Sequence, residues 1–492
     1  MADSAAGRGS GTSRAAGDAT LEDVSVFGLD PERFRAVVDV DTWMAFQYTI
    51  GHGRELFANR TLWNVNSTAH GGGVAEMLRS LVGYARGAEL DVRWVVIAGD
   101  GEFFRVTKRL HNLLHGFAGD GGPLGDDERA VYERHCERNA ELLAARLRRE
   151  DVLLLHDPQT AGMVPPLVQR GVPVVWRAHV GVDEPNDLAR GAWRFLTPYV
   201  EPAAAYIFSR AGYVWEGLDR DKVSVIPPSI DAFSAKNATL AFTSVTAVLR
   251  AVGLAADGHH QSRAIFERLD GSVCPVTSKA MLVEERALRL DEPLLAQVSR
   301  WDRLKDPLGV LGAFVEHVRY TEDPHLLLAG PDVTAVTDDP EGHEVFLEVE
   351  AAWRELPRAA RRRIHLALLP MEDADENAVM VNAVQRRSDV VAQKSLAEGF
   401  GLTVSEAMWK GRPVVASDVG GISEQIEDGR TGFLVGPRDL EAFGGRVSEL
   451  LANPHDAERM GEAGLTRVRE HFLGPRHLAQ YLELFDGILS AG

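Results

Sequence analysis

The chain has 492 residues, of which 45% are hydrophobic and 25% charged, which is the length of about two to four domains and the composition of a packed globular protein. Its 72 acidic and 53 basic residues give a net charge of −19, which disfavours binding to nucleic acid and to anionic membranes. No apolar run reaches the roughly 18 residues of a membrane span, and the first residues lack the apolar stretch of a signal peptide. We therefore expect a cytoplasmic enzyme that acts on small molecules.

Residues 1–20 are rich in glycine, alanine and serine, which predicts a flexible tail. Beyond them, apolar runs alternate with helical patterns, as is typical of an α/β fold in which a parallel sheet is covered by helices on both faces. In the first half of the chain this alternation predicts strands at 61–67, 91–99, 151–157, 172–180, 204–210 and 222–228.

The alternation breaks at PPSIDAFSAKN (227–237), where prolines and small polar residues predict a domain boundary. Residues 238–290 are predicted to be mostly helical. The alternation then resumes with predicted strands at 293–300, 325–331, 363–370, 389–394, 413–419 and 431–437, and a last helix is predicted at 477–490.

We therefore expect an N-terminal domain at 21–228, a C-terminal domain at 229–472, and a C-terminal helix within 473–492 that packs back toward the N-terminal domain. Ligands of doubly wound sheets bind beyond the carboxyl ends of the strands, so the active site is expected between the two halves.

The segment 394–435 is the richest in candidate functional residues. A strand leads into Glu398, then Gly399, Phe400 and Gly401, and then a helix that carries Glu406. The first backbone N–H groups of such a helix suit an anion, and a carboxylate accepts hydrogen bonds from sugar or ribose hydroxyls. Taken alone, the two glutamates could equally complement the helix dipole and face solvent.

A second candidate is SRWDRLKDP (299–307), where Arg300 and Lys305 follow a predicted strand. Two cations at this edge of a sheet can neutralise a diphosphate leaving group. An isolated pair of this spacing would more often be solvated, but its position after a strand and ahead of Glu398 favours a phosphate site.

Three glycines, 71–73, join the strand at 61–67 to a helix. Gly72 and Gly73 would let the backbone approach a phosphate or an acceptor, although a tight turn also explains them. The spacing is neither the GxGxxG fingerprint nor a Walker motif, which disfavours an oxidoreductase and a P-loop protein.

Polar residues also end three other predicted strands. Asn66 ends the first, Asp157 and Gln159 follow the third, and Arg177 and His179 end the fourth. A single histidine in such a place is more often structural, and Arg177 beside it could meet either sugar or phosphate. Asp157 and Gln159 would overhang the crevice between the two halves.

The Glu-x7-Glu pattern of EGFGLTVSEAM, followed by GRPVVASDVGGISEQIEDGRTGFLV, resembles the signature of the large retaining glycosyltransferase family that includes bacterial sucrose and glycogen synthases. This resemblance implies a GT-B fold, in which two Rossmann-like, doubly wound domains face each other across a cleft. It implies that Glu398 and His179 contact the donor sugar, assisted by the backbone of Gly399, Phe400, Gly401 and Leu402. It further implies that Glu406 holds the ribose and that Arg300 and Lys305 grip the donor phosphates.

The motifs NVNST (64–68) and HDPQT (156–160), together with the run 90–116, resemble a narrower group. It comprises trehalose synthases that join nucleotide-activated glucose to free glucose, and related retaining trehalose phosphorylases. The resemblance implies an acceptor site at Asn66, Asp157, Gln159 and Arg177, substrates that are NDP-glucose, glucose and trehalose, and a homodimer. A phosphorylase, a transferase with another small acceptor, and a non-catalytic sugar- or nucleotide-binding regulator remain alternatives.

Two Asp-x-Asp strings, at 39–41 and 373–375, raise the question of a metal. We expect surface charge or a loop cap there and require no cofactor, because Arg300, Lys305 and helix ends can neutralise the phosphates. Magnesium is not excluded, but no motif indicates it.

Overall fold

The structure is a computed structural model that describes residues 20–69, 72–256, 263–319, 323–333 and 340–490. Its strands are β1 Glu22–Asp23, β2 Leu62–Asn66, β3 Val92–Val96, β4 Val152–His156, β5 Val174–Ala178, β6 Ala205–Phe208, β7 Val223–Val225, β8 Ile265–Glu267, β9 Val273–Pro275, β10 Met281–Val283, β11 Leu294–Val298, β12 His325–Pro331, β13 Ile364–Leu369, β14 Val390–Gln393, β15 Val414–Ser417 and β16 Phe433–Val435. The predicted alternation of strand and helix is present in both halves of the chain.

Helices α1 to α17 cover these strands. They are α1 Val40–Leu56, α2 Gly72–Gly87, α3 Gly101–Leu114, α4 Asp126–Ala144, α5 Pro158–Ala161, α6 Val164–Val168, α7 Asp187–Val200, α8 Phe242–Val252, α9 Pro307–His317, α10 Pro340–Glu355, α11 Arg358–Arg361, α12 Ala374–Arg387, α13 Leu402–Trp409, α14 Ile422–Gln425, α15 Leu440–Ala452, α16 Pro454–His471 and α17 Gly474–Ser490. Among the described residues no helix is long and apolar enough to span a membrane.

The N-terminal sheet has the strand order β1-β3-β2-β4-β5-β6-β7 and is parallel except for β1. Successive residues of β4 enter different cores, with Leu153 and Leu155 in one and Val152 and Leu154 in the other. Both faces are therefore buried, which explains why the central strands are continuously apolar rather than alternating.

The C-terminal sheet has the order β10-β13-β12-β11-β14-β15-β16 and is parallel except for β10. Separate apolar cores lie on its two faces, one containing Leu295 and the other Leu294 and Ala296. The α/β class and the two Rossmann-like sheets predicted from the alternation are thus confirmed.

The prediction that 238–290 is mostly helical is wrong. Among the described residues of this segment only α8 is an α-helix; β8 and β9 form a small hairpin, and β10 adds an antiparallel edge to the C-terminal sheet. Residues 257–262 lie outside the described residues. These strands are only three residues long, so they carry too few alternating positions to indicate their period.

The chain crosses from one sheet to the other near Ile230 and crosses back near Leu473. A parallel β-bridge between these two residues joins the two crossings. Helix α17 then lies against α1, and its residues Leu478 and Phe485 enter an N-terminal core. The end of the chain is therefore part of the N-terminal packing.

The Asp-x-Asp strings begin helices. Asp39 accepts the backbone N–H of Thr42 at the start of α1, and Asp373 accepts those of Asp375 and Glu376 at the start of α12. Asp39 and Asp373 therefore act as helix caps.

Candidate active site

The loop after β14 brings Glu398 to the end of the C-terminal sheet. Gly401 adopts a φ of +79° immediately before α13, and a Cβ there would lie 3.0 Å from the Cγ of Glu398. Glycine is required at this position because the left-handed backbone and the close carboxylate side chain both exclude a larger residue. The sharp turn exposes the first N–H groups of α13 beside Glu398.

Glu398 forms an ion pair with Lys305, whose side chain is 15% exposed, from the turn that follows β11. Gln393 Nε2 and Ser395 Oγ lie 3.4 and 3.3 Å from the same carboxylate oxygen. Arg300 is more open, at 60% exposure, and its guanidinium lies 3.0 Å from a carboxylate oxygen of Asp302. The structure thus brings the predicted Glu398 and Lys305 together in a shielded ion pair.

Glu406 is nearly buried in α13 and its carboxylate lies 3.5 Å from the ammonium of Lys236. Lys236 also pairs with Glu76 of α2 at 2.7 Å. The linker lysine therefore joins the N-terminal helix α2 to the helix that carries Glu406.

The glycine segment faces this region. Gly72 begins α2, residues 70 and 71 lie outside the described residues, and a Cβ at Gly73 would lie 3.4 Å from the side chain of Leu402. The starts of α2 and α13 therefore meet across the interface between the domains, and the amino ends of both helices can act on one anion.

His179 is the end of a chain of polar contacts. Its Nε2 lies 3.0 Å from Nδ1 of His156, whose Nε2 lies 3.3 Å from Oδ1 of Asn64. Burial lowers the pKa of His156 to about 3 and that of His179 well below its usual value, so both rings are neutral. In this arrangement His156 donates to Asn64 and accepts from His179, which leaves Nδ1 of His179 as an acceptor for a hydroxyl.

Asp157 and Gln159 lie at the end of β4. Asp157 has a φ of 64°, rare for a residue other than glycine, and its carboxylate accepts the backbone N–H of His179 at 2.8 Å. Burial raises the pKa of Asp157 to about 7. The Oε1 atom of Gln159 is buried without a hydrogen-bond partner in the described part of the chain. Strain and an unsatisfied oxygen at one strand end are typical of a ligand site.

Asn66 and Arg177 are placed differently from the other predicted acceptor residues. Asn66 donates to the carbonyl of Thr68 and accepts from the indole of Trp94. Arg177 is fully buried and donates to the Ile226 carbonyl at 3.0 Å. Both side chains hold the fold around the strand ends and do not line the crevice.

The guanidinium of Arg177 also contacts helix α17. It donates to the hydroxyl of Tyr481, and its Nη1 lies 3.1 Å from Nε2 of His477. Sequence analysis missed this role because the partners are some 300 residues away.

Two further residues of the interface were missed. The hydroxyl of Tyr213 lies 2.8 and 2.7 Å from the carbonyl oxygens of Glu398 and Gly399, and Arg210 donates to the carbonyl of Gly420. They lie beyond β6 in a segment with no recognisable motif, and their partners are backbone atoms, so no sequence signal marks them.

His111 and His115, at the end of α3, were also not singled out. A Cβ at Gly399 would lie 4.0 Å from the His115 ring and 3.4 Å from the carbonyl oxygen of His179. Both lie in the run 90–116, but no feature of that run marks the helical face that they share.

Residues 64–215 match the family described as trehalose synthase, N-terminal domain, and residues 279–467 match glycosyl transferases group 1. A trehalose synthase from Pyrococcus horikoshii is 36% identical over 434 residues, which cover 88% of this chain and 91% of that protein. The chain belongs to the trehalose synthase family. Another member of this trehalose synthase family, from Rubrobacter xylanophilus, is 35% identical over 87% of this chain and 90% of its own length.

More distant relatives of this trehalose synthase family member share the fold. A trehalose phosphorylase from Pleurotus sajor-caju is 26% identical over 89% of this chain but only 59% of its own length. An α,α-trehalose-phosphate synthase (UDP-forming) from Burkholderia xenovorans superposes with a TM-score of 0.63 at 14% identity, covering 88% of this chain and 99% of that one. The predicted GT-B fold is confirmed, and the protein is a glycosyltransferase.

Proposed function

We propose that this protein is a retaining hexosyltransferase that transfers a glucosyl group from NDP-glucose to glucose and forms α,α-trehalose and NDP reversibly. The observation that carries the proposal is the identity of 36% to a protein named trehalose synthase across nearly its whole length. The site supports it, because carboxylates, neutral imidazoles and cations meet where the two sheets face each other.

On the donor side, Arg300 and Lys305 neutralise the diphosphate, aided by the helix starts at Gly72–Gly73 and at Gly399–Leu402. The Lys305 ammonium has three N–H donors, so it can keep its bond to Glu398 and still donate to a phosphate oxygen. Glu398 accepts from donor sugar hydroxyls beside His179, while the oxygen of Glu406 that is turned from Lys236 accepts from the ribose.

On the acceptor side, Asp157 and Gln159 bind hydroxyl groups of glucose, and Asn66 and Arg177 support the strand ends from within. The bond between the donor anomeric carbon and the phosphate oxygen breaks with its electron pair going to NDP. The acceptor oxygen bonds to that carbon from the same face, and its proton passes to the leaving phosphate oxygen. The cations stabilise the charge that develops on the diphosphate.

A second candidate is phosphorolysis of trehalose, with inorganic phosphate in place of NDP at the same cations. It is favoured by the match to trehalose phosphorylases, of which the chain spans about three fifths. Glu406 favours the synthase, because a ribose needs that carboxylate and inorganic phosphate does not.

Product analysis of the purified protein tests the choice. Glucose is supplied with ADP-, UDP- or GDP-glucose in turn, and trehalose is supplied separately with inorganic phosphate. Trehalose and NDP are expected from at least one donor. Glucose 1-phosphate from the phosphate reaction alone would establish the phosphorylase, and no product in any reaction would exclude both.

We propose that the domains span residues 21–228 and 229–472 and that the protein acts in the cytoplasm.

We also propose that the protein is a homodimer. Val40, Met44 and Tyr48 are 74%, 62% and 80% exposed in one row of α1, and a two-fold axis at Met44 would set Val40 of one copy against Tyr48 of the other. Light scattering should give twice the chain mass for the wild type and one chain mass for Met44→Glu; a monomeric wild type would exclude the dimer.

A further inference from the structure

One face of α3 is turned toward the interface between the domains. Phe104, Lys108, His111 and His115 follow one another at intervals of four, three and four residues, which places them in a single row. The opposite side of the helix supplies core residues such as Leu110. The three polar residues of the row are therefore not required by the packing of α3.

The end of this row lies at the donor-side residues of the other domain. His115 contacts the position of Gly399, and the charges of Glu398 and Lys305 both act on its ring. The His111 ring is 4.9 Å from that of His115, and Arg300 is close enough for its charge to act on His111. The two imidazoles therefore lie beside the reacting end of the proposed donor.

His111 has an unsatisfied nitrogen. Its Nδ1 is buried without a hydrogen-bond partner among the described residues, and the Asn112 side chain is a polar group that acts on the ring from the same helix. Burial lowers the pKa of His111 to about 3, so the ring is neutral. An unpaired buried polar atom is costly, and a ligand hydroxyl would remove that cost.

The surrounding charges favour a neutral ligand at these rings. Arg300 is paired with Asp302 and Lys305 with Glu398, and in the proposed reaction both cations also serve the donor diphosphate. A second anion would have to compete for them or rely on Lys108 alone, whose charge also acts on both rings. A neutral imidazole, in contrast, both donates to and accepts from a hydroxyl group.

We propose that His111 and His115 form the α3 side of the acceptor subsite and bind hydroxyl groups of an uncharged hexose. This inference rests on the proposed function and assigns two residues to its acceptor. The hexose lies between the α3 row and the strand ends that carry Asp157 and His179, because His115 and His179 approach Gly399 together.

His111→Leu removes the imidazole while retaining bulk, and His111→Asn keeps a polar atom near the position of Nδ1. We expect His111→Leu to raise the KM for glucose about tenfold or more, as for the loss of one buried hydrogen bond. The KM for NDP-glucose should stay within about twofold of the wild-type value. His111→Asn should recover much of the glucose KM. The control His135→Asn changes a partly buried histidine that pairs with Asp100, and its glucose KM should equal that of the wild type.

An unchanged glucose KM in folded His111→Leu, or a rise confined to NDP-glucose, would overturn the inference. So would a wild-type preference for glucose 6-phosphate or inorganic phosphate over glucose. If the wild type makes no trehalose, the proposed function fails, and calorimetric titration of glucose into the protein saturated in turn with ADP, UDP and GDP decides the inference separately. Binding by the wild type that His111→Leu loses would support it; equal binding, or none by either protein, would overturn it.

Discussion

Asp157→Asn should stabilise the protein while impairing its use of the acceptor. Burial raises the pKa of Asp157 from 3.8 to about 7, so the ionised carboxylate is unfavourable in the folded state. Asparagine has the same shape, tolerates the positive φ of this position and can still accept the N–H of His179. The substitution therefore removes a charge and leaves the geometry intact.

The size of the effect follows from the pKa. The difference between 3.8 and about 7 corresponds to about 4 kcal/mol at roughly 1.4 kcal/mol per pKa unit. Asp157 is only partly buried by its surface exposure, so solvent screening reduces this, and we expect about 1 to 3 kcal/mol, or several degrees in Tm.

The stabilisation by Asp157→Asn should depend on pH. Below about pH 4 the side chain is protonated in both the folded and the unfolded protein. Between about pH 4 and pH 7 the unfolded chain releases the proton and the folded one retains it, so the wild type loses stability as pH rises. The advantage of asparagine should grow across this window and be constant above it.

Thermal unfolding at pH 5 and pH 8, with the glucose KM measured at pH 8, checks both effects. The matched control is Asp151→Asn. Burial alone would raise the pKa of Asp151, but the N–H groups of Arg148 and Thr61 outweigh burial and lower it, so this control should be destabilised. The reasoning is refuted if Asp157→Asn lowers the Tm at pH 8 or gives the same change at both pH values.

Three other substitutions have expected outcomes. Glu398→Gln leaves Lys305 without its counter-charge and weakens the hold on the donor sugar, so steady-state assays should show kcat lower by about 100-fold or more. Lys236→Met removes the cation that faces Glu406, and the KM for NDP-glucose should rise about fivefold with kcat within about twofold. Arg177→Met removes the bonds to α17 and the Ile226 carbonyl, and denaturant unfolding should show a loss of about 3 kcal/mol.

Each of these substitutions has its own control. Glu398→Asp keeps the negative charge and should recover part of kcat. If Glu398→Asp and Glu398→Gln lose kcat equally, the position of the carboxylate and not its charge would explain the loss. Lys236→Arg should recover the KM, whereas Lys222→Met, at a lysine that donates to the Ala203 carbonyl, should leave it unchanged. If Arg177→Met unfolds like the wild type, the buried guanidinium does not fasten α17.

The sequence predicted the parallel strands of both sheets because a strand buried on both faces is a short, continuous apolar run. The antiparallel edge strand β1, of two exposed residues, was not predicted. HLLLAGP and RIHLALLP become β12 and β13 at the predicted positions. Prediction failed at β8 to β10, where edge and hairpin strands are only partly buried. Their conformation is set by pairing with β13 and with each other, and such long-range partners leave little trace in local pattern.

The site was predictable where its residues follow strands in chain order. Glu398 and Lys305 each came from such a position, and they meet as an ion pair. The contacts of Arg177 were not predictable, because its side chain points away from the crevice and contacts His477 of α17. The side chain of a residue at a strand end can point to either face of the sheet. For Arg177 the direction is set by packing against α17.

The contacts across the crevice explain why a glycine is needed at position 420. Tyr213 and Arg210 bind carbonyl oxygens of the loops at 398–399 and 420, so they recognise the path of the backbone and not its side chains. That path is possible only because Gly420 has a φ of +52°, and a Cβ there would come within 1.9 Å of the Glu398 carbonyl oxygen and 2.6 Å of the Tyr213 hydroxyl. Any other residue at 420 would displace the loop that carries Glu398, and with it the approach of the two domains.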